Sequence, residues 1–568
     1  METARKIVIV GGVAGGMSAA TRLRRLDETA DIVVFERGRY VSFANCGLPY
    51  YVGGVITDRA ALLLQTPESL ASRFRLDVRV DHEVVAIDRA AHTVDVRNLR
   101  TDAITVEVYD RLILAGGATT SHERASSSIP THTLRTIDDV DHITSTLAAT
   151  GSPASAVVIG GGFIGVEAVE NLVRRGLAVT LVQRGPHVLR PLDVEMSSLV
   201  ERELRSHDVD VRTNTTVVGA EHGVASLSDG TEVAASIIID ASGVHPDTTL
   251  AASAGLAIGF SGGIWVDAEQ RTSDPAIYAV GDGAEKIDAV EIDAMTIDAV
   301  TTEGGSGGIL VTMAGLANRH GRAAADSIAG VPEPVEPALG TAIVGLFETT
   351  VAMVGWSERR LAAAGRAHRV IHTHPDSHAT YYPGAERMHI KLLVDPESDA
   401  ILGAQIVGGA GVDKRIDVIA TAMSGGITAS GLSRLELAYA PQFGSAKDPI
   451  NQLGYVADNL ASGTTRSIQW HELDTEREAG ARLIDVRRPD EFAAGHIPGA
   501  VNRPLDELRE RLDELPDAPL IVHCQVGQRG HTAARLLGQH GFDVRNLDGG
   551  YATWLAGVSA FAAVPTLA

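Results

Sequence analysis

Only two cysteines occur in 568 residues, Cys46 and Cys524, and each stands in a segment that could put a thiol to work. Cys46 lies in Ser42-Phe43-Ala44-Asn45-Cys46-Gly47-Leu48-Pro49-Tyr50, and Leu48, Pro49, Tyr50 and Tyr51 follow it with no second thiol among them. Its redox partner must therefore come from a substrate, or its oxidised form must be a sulfenic acid. An inert buried thiol is the alternative reading of an isolated cysteine. Cys524 lies in Ile521-Val522-His523-Cys524-Gln525-Val526-Gly527-Gln528-Arg529, where an apolar strand delivers it into a loop before a helix expected over Thr532–Leu537. Backbone N–H groups, the helix N-terminus and Arg529 together favour a thiolate or an anionic persulfide. Two thiols so far apart exclude a disulfide framework and a multi-cysteine metal centre, and no metal site is expected.

Glycine supplies the second chemical signal. There are 59 glycines, about a tenth of the chain against a typical ~7%. Two segments repeat one pattern of apolar strand, glycine-rich turn and alanine-rich helix. In the first, Lys6–Val10 leads through Gly11, Gly12, Val13, Ala14, Gly15 and Gly16 into a helix over Met17–Leu26, and a strand over Asp31–Phe35 ends at Glu36. In the second, Ala156–Ile159 leads through Gly160, Gly161, Gly162, Phe163, Ile164 and Gly165 into a helix reaching Arg175, and a strand over Ala178–Val182 ends at Gln183. Such βαβ units bind dinucleotides because glycine lets the backbone approach a pyrophosphate and the helix N-terminus holds its charge. Glu36 stands where a carboxylate accepts ribose hydroxyls; Gln183 and Arg184 at the second copy remove that carboxylate and could attract a 2′-phosphate, so NADPH is expected to be accepted alongside NADH.

Around these elements, length predicts three or four domains, more than one core can serve. The net charge of −23 argues against nucleic-acid or anionic-membrane binding, so a polyanionic ligand must find a local basic patch. On the first helix Ser18, Arg22 and Arg25 share one face, and arginine suits phosphate through its planar fork. Pro332, Pro334 and Pro337 mark one linker and Ala461-Ser462-Gly463-Thr464-Thr465 another. The Arg5-Lys6 start reads as a first strand rather than an export leader, and no apolar run reaches about 18 residues, so the expected address is cytoplasmic.

Two further strands end in glycine turns, Arg111–Leu114 and Ile237–Asp240, and Thr272-Ser273-Asp274-Pro275-Ala276-Ile277-Tyr278-Ala279-Val280-Gly281-Asp282 follows. With the paired fingerprints, these segments resemble the pyridine nucleotide-disulfide oxidoreductases over residues 1 to about 455. The resemblance implies an α/β fold with FAD- and NAD(P)-binding Rossmann-like domains and an α+β dimerisation domain. The FAD domain is expected over 1–120 and 243–330, the NAD(P) domain over 121–242, the dimerisation domain over 335–458 and a linker over 459–467. It assigns FAD to Gly11, Gly12, Ala14, Gly15, Gly16, Glu36 and Asp282, and NAD(P)H to Gly160, Gly162, Phe163, Ile164, Gly165, Gln183 and Arg184. Members with a dithiol use a CxxxxC pair, absent here, and single-cysteine peroxidases place a histidine where this chain has Ala14. SFANCGLPYYVGG without that histidine is similar to coenzyme A-disulfide reductases. That likeness implies coenzyme A contacts at Ser18, Arg22, Arg25, Ser42, Asn45, Asn318, Lys447 and Tyr455, with a looser basic contact near Arg73 or Arg75. It also sets Tyr381 and Tyr439 of a neighbouring subunit beside Cys46, as hydrogen-bond partners or general acids; Tyr382 could take the role of Tyr381.

The tail, with Leu483-Ile484-Asp485-Val486-Arg487, Glu491-Phe492, Gly495-His496-Ile497-Pro498-Gly499-Ala500, the Cys524 loop and Asp548-Gly549-Gly550-Tyr551, resembles a rhodanese domain, α/β in fold, expected over 468–568. Cysteine phosphatases with this architecture need CxxxxxR, and Gly530 occupies that last position; Arg529 closes a shorter loop that fits a sulfur atom. The expectation is a homodimeric NAD(P)H-dependent flavoprotein that reduces coenzyme A disulfide, coenzyme A persulfide or polysulfide through Cys46, coupled to a sulfurtransferase through Cys524 and Arg529. An NADH peroxidase- or oxidase-type flavoenzyme and a sulfur-carrier or redox-sensing protein are the alternatives.

Overall fold

A computed structural model describes residues 4–120, 127–150, 154–292 and 308–561. The expected domain limits at 121 and 568 lie outside the described residues. Two compact units emerge, Met1–Val182 with Thr216–Gly340, and Gln183–Thr215 with Thr341–Ala568.

In the first unit, β1 (Lys6–Val10), β2 (Asp31–Glu36), β3 (Asp77–Val80) and β4 (Arg111–Leu114) form a parallel sheet with the later strand Ile277–Ala279 on the far side of β4. The central strands are nearly all apolar because both faces are covered. Ile7 and Ile9 pack with Leu23, Ala324 and Ala325 on one face, while Val8, Val33, Phe35 and Leu112 fill the other. Helix α1 (Ala14–Leu26) follows β1; it starts three residues earlier than expected, inside the glycine loop. A second parallel sheet is built from β5 (Thr131–His132), β6 (Ser155–Ile159), β7 (Ala178–Val182) and β8 (Ile237–Asp240), in the order β7-β6-β8-β5, with α2 (Phe163–Arg174) after β6. Strand Ile277–Ala279 becomes β9, and α3 (Ala314–Ile328) packs along α1.

The second unit holds an antiparallel sheet of β10 (Ala342–Leu346), β11 (Thr349–Gly355), β12 (Arg369–Thr373), β13 (Met388–Val394) and β14 (Ile401–Gly408), ordered β10-β11-β14-β13-β12. Helix α4 (Pro449–Ala461) leads to a parallel sheet of β15 (Ser467–Ile468), β16 (Arg482–Asp485), β17 (Val501–Asn502), β18 (Leu520–His523) and β19 (Val544–Leu547), ordered β15-β19-β18-β16-β17. Helices α5 (Gln528–Gln539) and α6 (Gly550–Ser559) complete it, and the helix Val194–Ser206 packs on α6. None of the described helices is long and apolar enough to cross a membrane.

Candidate active sites around the two thiols

Both glycine loops are built alike. Gly11 and Gly160 adopt φ of +104° and +99°, and a Cβ on either would stand 2.3 Å from a carbonyl oxygen, of Ala115 and Ala241 respectively. Gly16 and Gly165 let each helix return onto its loop, since a Cβ there would lie 1.9 and 1.8 Å from the carbonyl oxygens of Gly11 and Gly160. Only glycine permits both the left-handed turn and these approaches. Glu36, at the end of β2, accepts from the N–H of Gly12 at 2.7 Å and of Gly38 at 2.7 Å, which fixes its carboxylate beside the first loop. At the second loop, Gly160 donates to the carbonyl of Val182 at 2.8 Å, one residue before Gln183 in the chain. Space around the missing Cβ of Gly162 is open.

Cys46 is exposed in a single turn of 3-10 helix, Asn45–Gly47, placed when Ser42, at φ +49°, donates its N–H to Gly12 at 2.8 Å. Partial burial, together with the carboxylates of Glu167 and Asp282, raises the thiol above the ordinary cysteine range. Glu167 is itself raised by burial and accepts from Tyr50 at 3.2 Å, and Tyr50 is pushed up to about 12 by burial and by that carboxylate. Asp282, in the turn after β9, is raised by burial, opposed by Lys286 and Arg135. Lys286 donates to the carbonyls of Gly281 at 2.5 Å and Ala284 at 2.6 Å, and burial pulls it down to about 8. Of these groups only Cys46 and Asp282 were legible in the sequence; a tyrosine four residues after the cysteine and a glutamate in the second fingerprint helix were the available signals for Tyr50 and Glu167.

The expected coenzyme A residues divide between the units. In the first, Ser18 donates to the carbonyl of Asn318 at 2.9 Å, so α1 and α3 bring those two together. Arg22 spends its Nε on Asp326 at 2.7 Å, Arg25 is exposed, and Asn45 and Asn318 are exposed. Arg24, between them, is buried and donates to the carbonyls of Asp27, Glu28, Phe74 and Arg75, a purely structural role. In the second unit Lys447 and Tyr455 are exposed, and the hydroxyls of Tyr381 and Tyr439 hydrogen-bond each other at 2.8 Å. Tyr381 is 74% exposed and Tyr382 44%, and the bond to Tyr439 raises the phenol of Tyr381.

Cys524, by contrast, is completely buried at the end of β18. Helix α5 begins at Gln528, not Thr532, because Gly527, at φ +92°, turns the chain early; Arg529 thus lies in its first turn. The guanidinium is clasped by Glu491, Nη1 to Oε2 at 2.8 Å and Nη2 to Oε1 at 2.7 Å, and faces Cys524. Glu491 is lowered to about 2 by that pairing. Arg487, buried and bonded to Asp485, donates to Gln525 Oε1 at 2.9 Å and lies 4.5 Å from the ring centre of Tyr551. The far wall is backbone: Tyr551 N–H donates to the carbonyl of Cys524 at 2.8 Å, and a Cβ on Gly550 would meet that oxygen at 2.4 Å.

Family models match at three places. The pyridine nucleotide-disulphide oxidoreductase model covers residues 5–297, the dimerisation domain of the same family 341–448, and a rhodanese-like domain 469–557. The chain belongs to the pyridine nucleotide-disulphide oxidoreductases. A relative in Staphylococcus aureus, coenzyme A disulfide reductase, is 35% identical over 458 residues, 80% of this chain and 99% of that protein. Among solved structures, reduced CoADR-RHD of Bacillus anthracis superposes with a TM-score of 0.92 at 44% identity, covering 98% of each chain. An NAD-dependent persulfide reductase from A. fulgidus gives 0.87 at 35% identity, covering 97% of this chain and 100% of the other. The expected fold class holds, including the dimerisation and rhodanese domains of this oxidoreductase. Membership implies FAD and NAD(P)H, and the first loop fits such a group: its glycines allow the tight turn and the close return of the helix, and the half-buried carboxyl of Asp282 stands in the turn whose Val280 and Gly281 approach Gly15.

Proposed function

We propose that this oxidoreductase uses NAD(P)H and FAD to reduce coenzyme A disulfide, coenzyme A persulfide or related polysulfides at Cys46, and that its rhodanese domain transfers sulfane sulfur at Cys524. A single exposed thiol beside Asp282 and Glu167, with no second cysteine to close on, is the observation that carries the reading. The relatives named for coenzyme A disulfide and persulfide reduction support it.

Gly11, Gly12, Ala14, Gly15, Gly16, Glu36 and Asp282 would hold FAD, and Gly160, Gly162, Phe163, Ile164, Gly165, Gln183 and Arg184 the nicotinamide nucleotide. When bound, the flavin supplies the path by which two electrons pass from NAD(P)H to sulfur. The protein's own part begins with the Cys46 thiolate attacking one sulfur of coenzyme A disulfide. One S–S bond breaks, a Cys46 mixed disulfide forms, and a coenzyme A thiolate departs. Tyr439, bonded to Tyr381 and contributed across a homodimer, donates a proton to that thiolate. Two electrons then return Cys46 to thiolate and release the second coenzyme A. Ser18, Arg22, Arg25, Ser42, Asn45, Asn318, Lys447 and Tyr455 would hold the cofactor's phosphates and pantetheine arm, gathering the few local cations of a chain with net charge −23. At Cys524, the loop N–H groups and Arg529 stabilise a persulfide.

The domain limits belong to the same proposal: 1–120 with 243–330 for FAD, 121–242 for NAD(P), 335–458 for dimerisation, and 468–568 for sulfur transfer after a linker at 459–467. So does a reducing cytoplasmic address, given two free thiols. NAD(P)H oxidation by the FAD-loaded protein, measured with each of the three substrates, tests the reading. Cys46→Ser should lower every rate by a factor on the order of 10³ or more; turnover that survives the substitution would overturn it. Because Gln183 and Arg184 replace the expected carboxylate, kcat/KM for NADPH should approach or exceed that for NADH, and a strong preference for NADH would contradict that part.

A further inference from the structure

Within the second unit, a buried ionic cluster meets the wall of the Cys524 loop. Strand β12 is the edge of its sheet, and an edge strand presents unpaired backbone groups that need a cover. Here the cover is the rhodanese domain. His372 on β12 donates its backbone N–H to Asp548 Oδ2 at 2.8 Å and its ring Nδ1–H to the same oxygen at 2.7 Å, while Gln469 donates to the carbonyl of Val370 at 3.2 Å. The other ring nitrogen, Nε2, faces Glu195 Oε1 at 3.1 Å, on the helix Val194–Ser206. Asp548 is followed by Gly549 and Gly550, both at φ +63°, and then by Tyr551, whose N–H holds the carbonyl of Cys524. Gly549 lies so close to His372 that a Cβ on it would stand 2.8 Å from the histidine's own Cβ.

We propose that His372 is a positioning residue for sulfur transfer: held between Asp548 and Glu195, its ring fixes the Asp548-Gly549-Gly550 turn that walls the Cys524 loop. The inference rests on the sulfurtransferase reading above. Burial alone would lower this histidine, but the bonds from Asp548 and Glu195 win and raise it to about 9. Lys391, opposite His372 on β13, is bound by Asp193, Glu195 and Glu358. His374 bonds His389 and Thr553 of α6; burial keeps both histidines neutral, with His389 lowered to about 4, and Arg387 and Arg202 push the same way. The positive ring therefore faces two carboxylates. Its contribution is complete below the ordinary histidine value near 6.5 and is lost as pH rises through about 9.

The test uses the FAD holoenzyme and peptide-resolved alkylation of Cys524 by iodoacetamide between about pH 7 and 10, with Cys46 in the same sample as reference. His372→Gln should alkylate roughly ten-fold faster at Cys524 near pH 7, without the wild-type acceleration around pH 9, and with the Cys46 rate unchanged. Thiosulfate-to-cyanide sulfur transfer should lose about ten-fold in kcat at near-constant KM, and its alkaline limb should vanish. If His372→Gln does not fold, as loss of coenzyme A disulfide reduction would reveal, Asp548→Asn must show the same pattern. Alkylation and pH profiles that superpose on wild type overturn the proposal. Should wild type lack sulfur transfer altogether, the sulfurtransferase reading fails, and alkylation alone still decides whether His372 holds the turn.

Discussion

The two thiols sit in opposite electrical settings. Cys46 is exposed on a short turn, with the carboxylates of Glu167 and Asp282 facing it and, among the described residues, no cation among the groups that shift it. Cys524 is wholly buried, wrapped by backbone, with the guanidinium of Arg529 facing it. A thiol that must meet a bulky disulfide and be reduced beside a flavin needs access, and carboxylates there disfavour a standing thiolate until ligands arrive. A thiol that carries a charged sulfur atom needs the reverse, a closed cradle with a fixed cation. The contrast lies in local charge rather than in the chain's net charge of −23, which is the same background for both.

The contrast can be broken from either side. Arg529→Ala removes the cation that faces Cys524, so thiosulfate-to-cyanide sulfur transfer should fall by roughly a hundred-fold while coenzyme A disulfide reduction is unaffected. Glu491→Gln keeps the arginine but loosens its clasp; steady-state sulfur transfer should drop by about ten-fold and be partly regained in Glu491→Asp if orientation is what matters. At the other thiol, Glu167→Gln deletes one of the two facing carboxylates. Because that charge raises the Cys46 thiol, its removal should move the midpoint of iodoacetamide reactivity to lower pH, and the rate near pH 7 should rise by about two- to five-fold. A midpoint that moves upward would contradict the assignment of Glu167.

Spacing made part of this legible. Both glycine loops, the isolated Cys46 and the six-position Cys524 loop are contiguous in sequence, and each requires particular residue types for a stated geometric reason, so the family and both thiols could be read before any coordinates. What stayed hidden is contributed by residues distant in the chain. Arg22 meets Asp326 and His372 meets Asp548, pairs 304 and 176 positions apart, and no periodicity announces such a meeting. Pattern was also ambiguous where it was visible. In Arg22-Leu23-Arg24-Arg25, one arginine is paired, one is buried as a structural brace and one is exposed, a division set by what packs against α1 rather than by the run itself. Helix α5 began four residues early for a similar reason, because the glycine before it adopts a conformation that propensity alone does not weigh.

Separate steps at the two thiols are the core of the proposed function. Cys524→Ser in the full-length holoenzyme tests it in paired assays, NAD(P)H oxidation with coenzyme A disulfide and sulfur transfer from thiosulfate. The expected result is an unchanged rate in the first and no detectable transfer in the second; equal loss in both, or transfer that survives, would contradict the division.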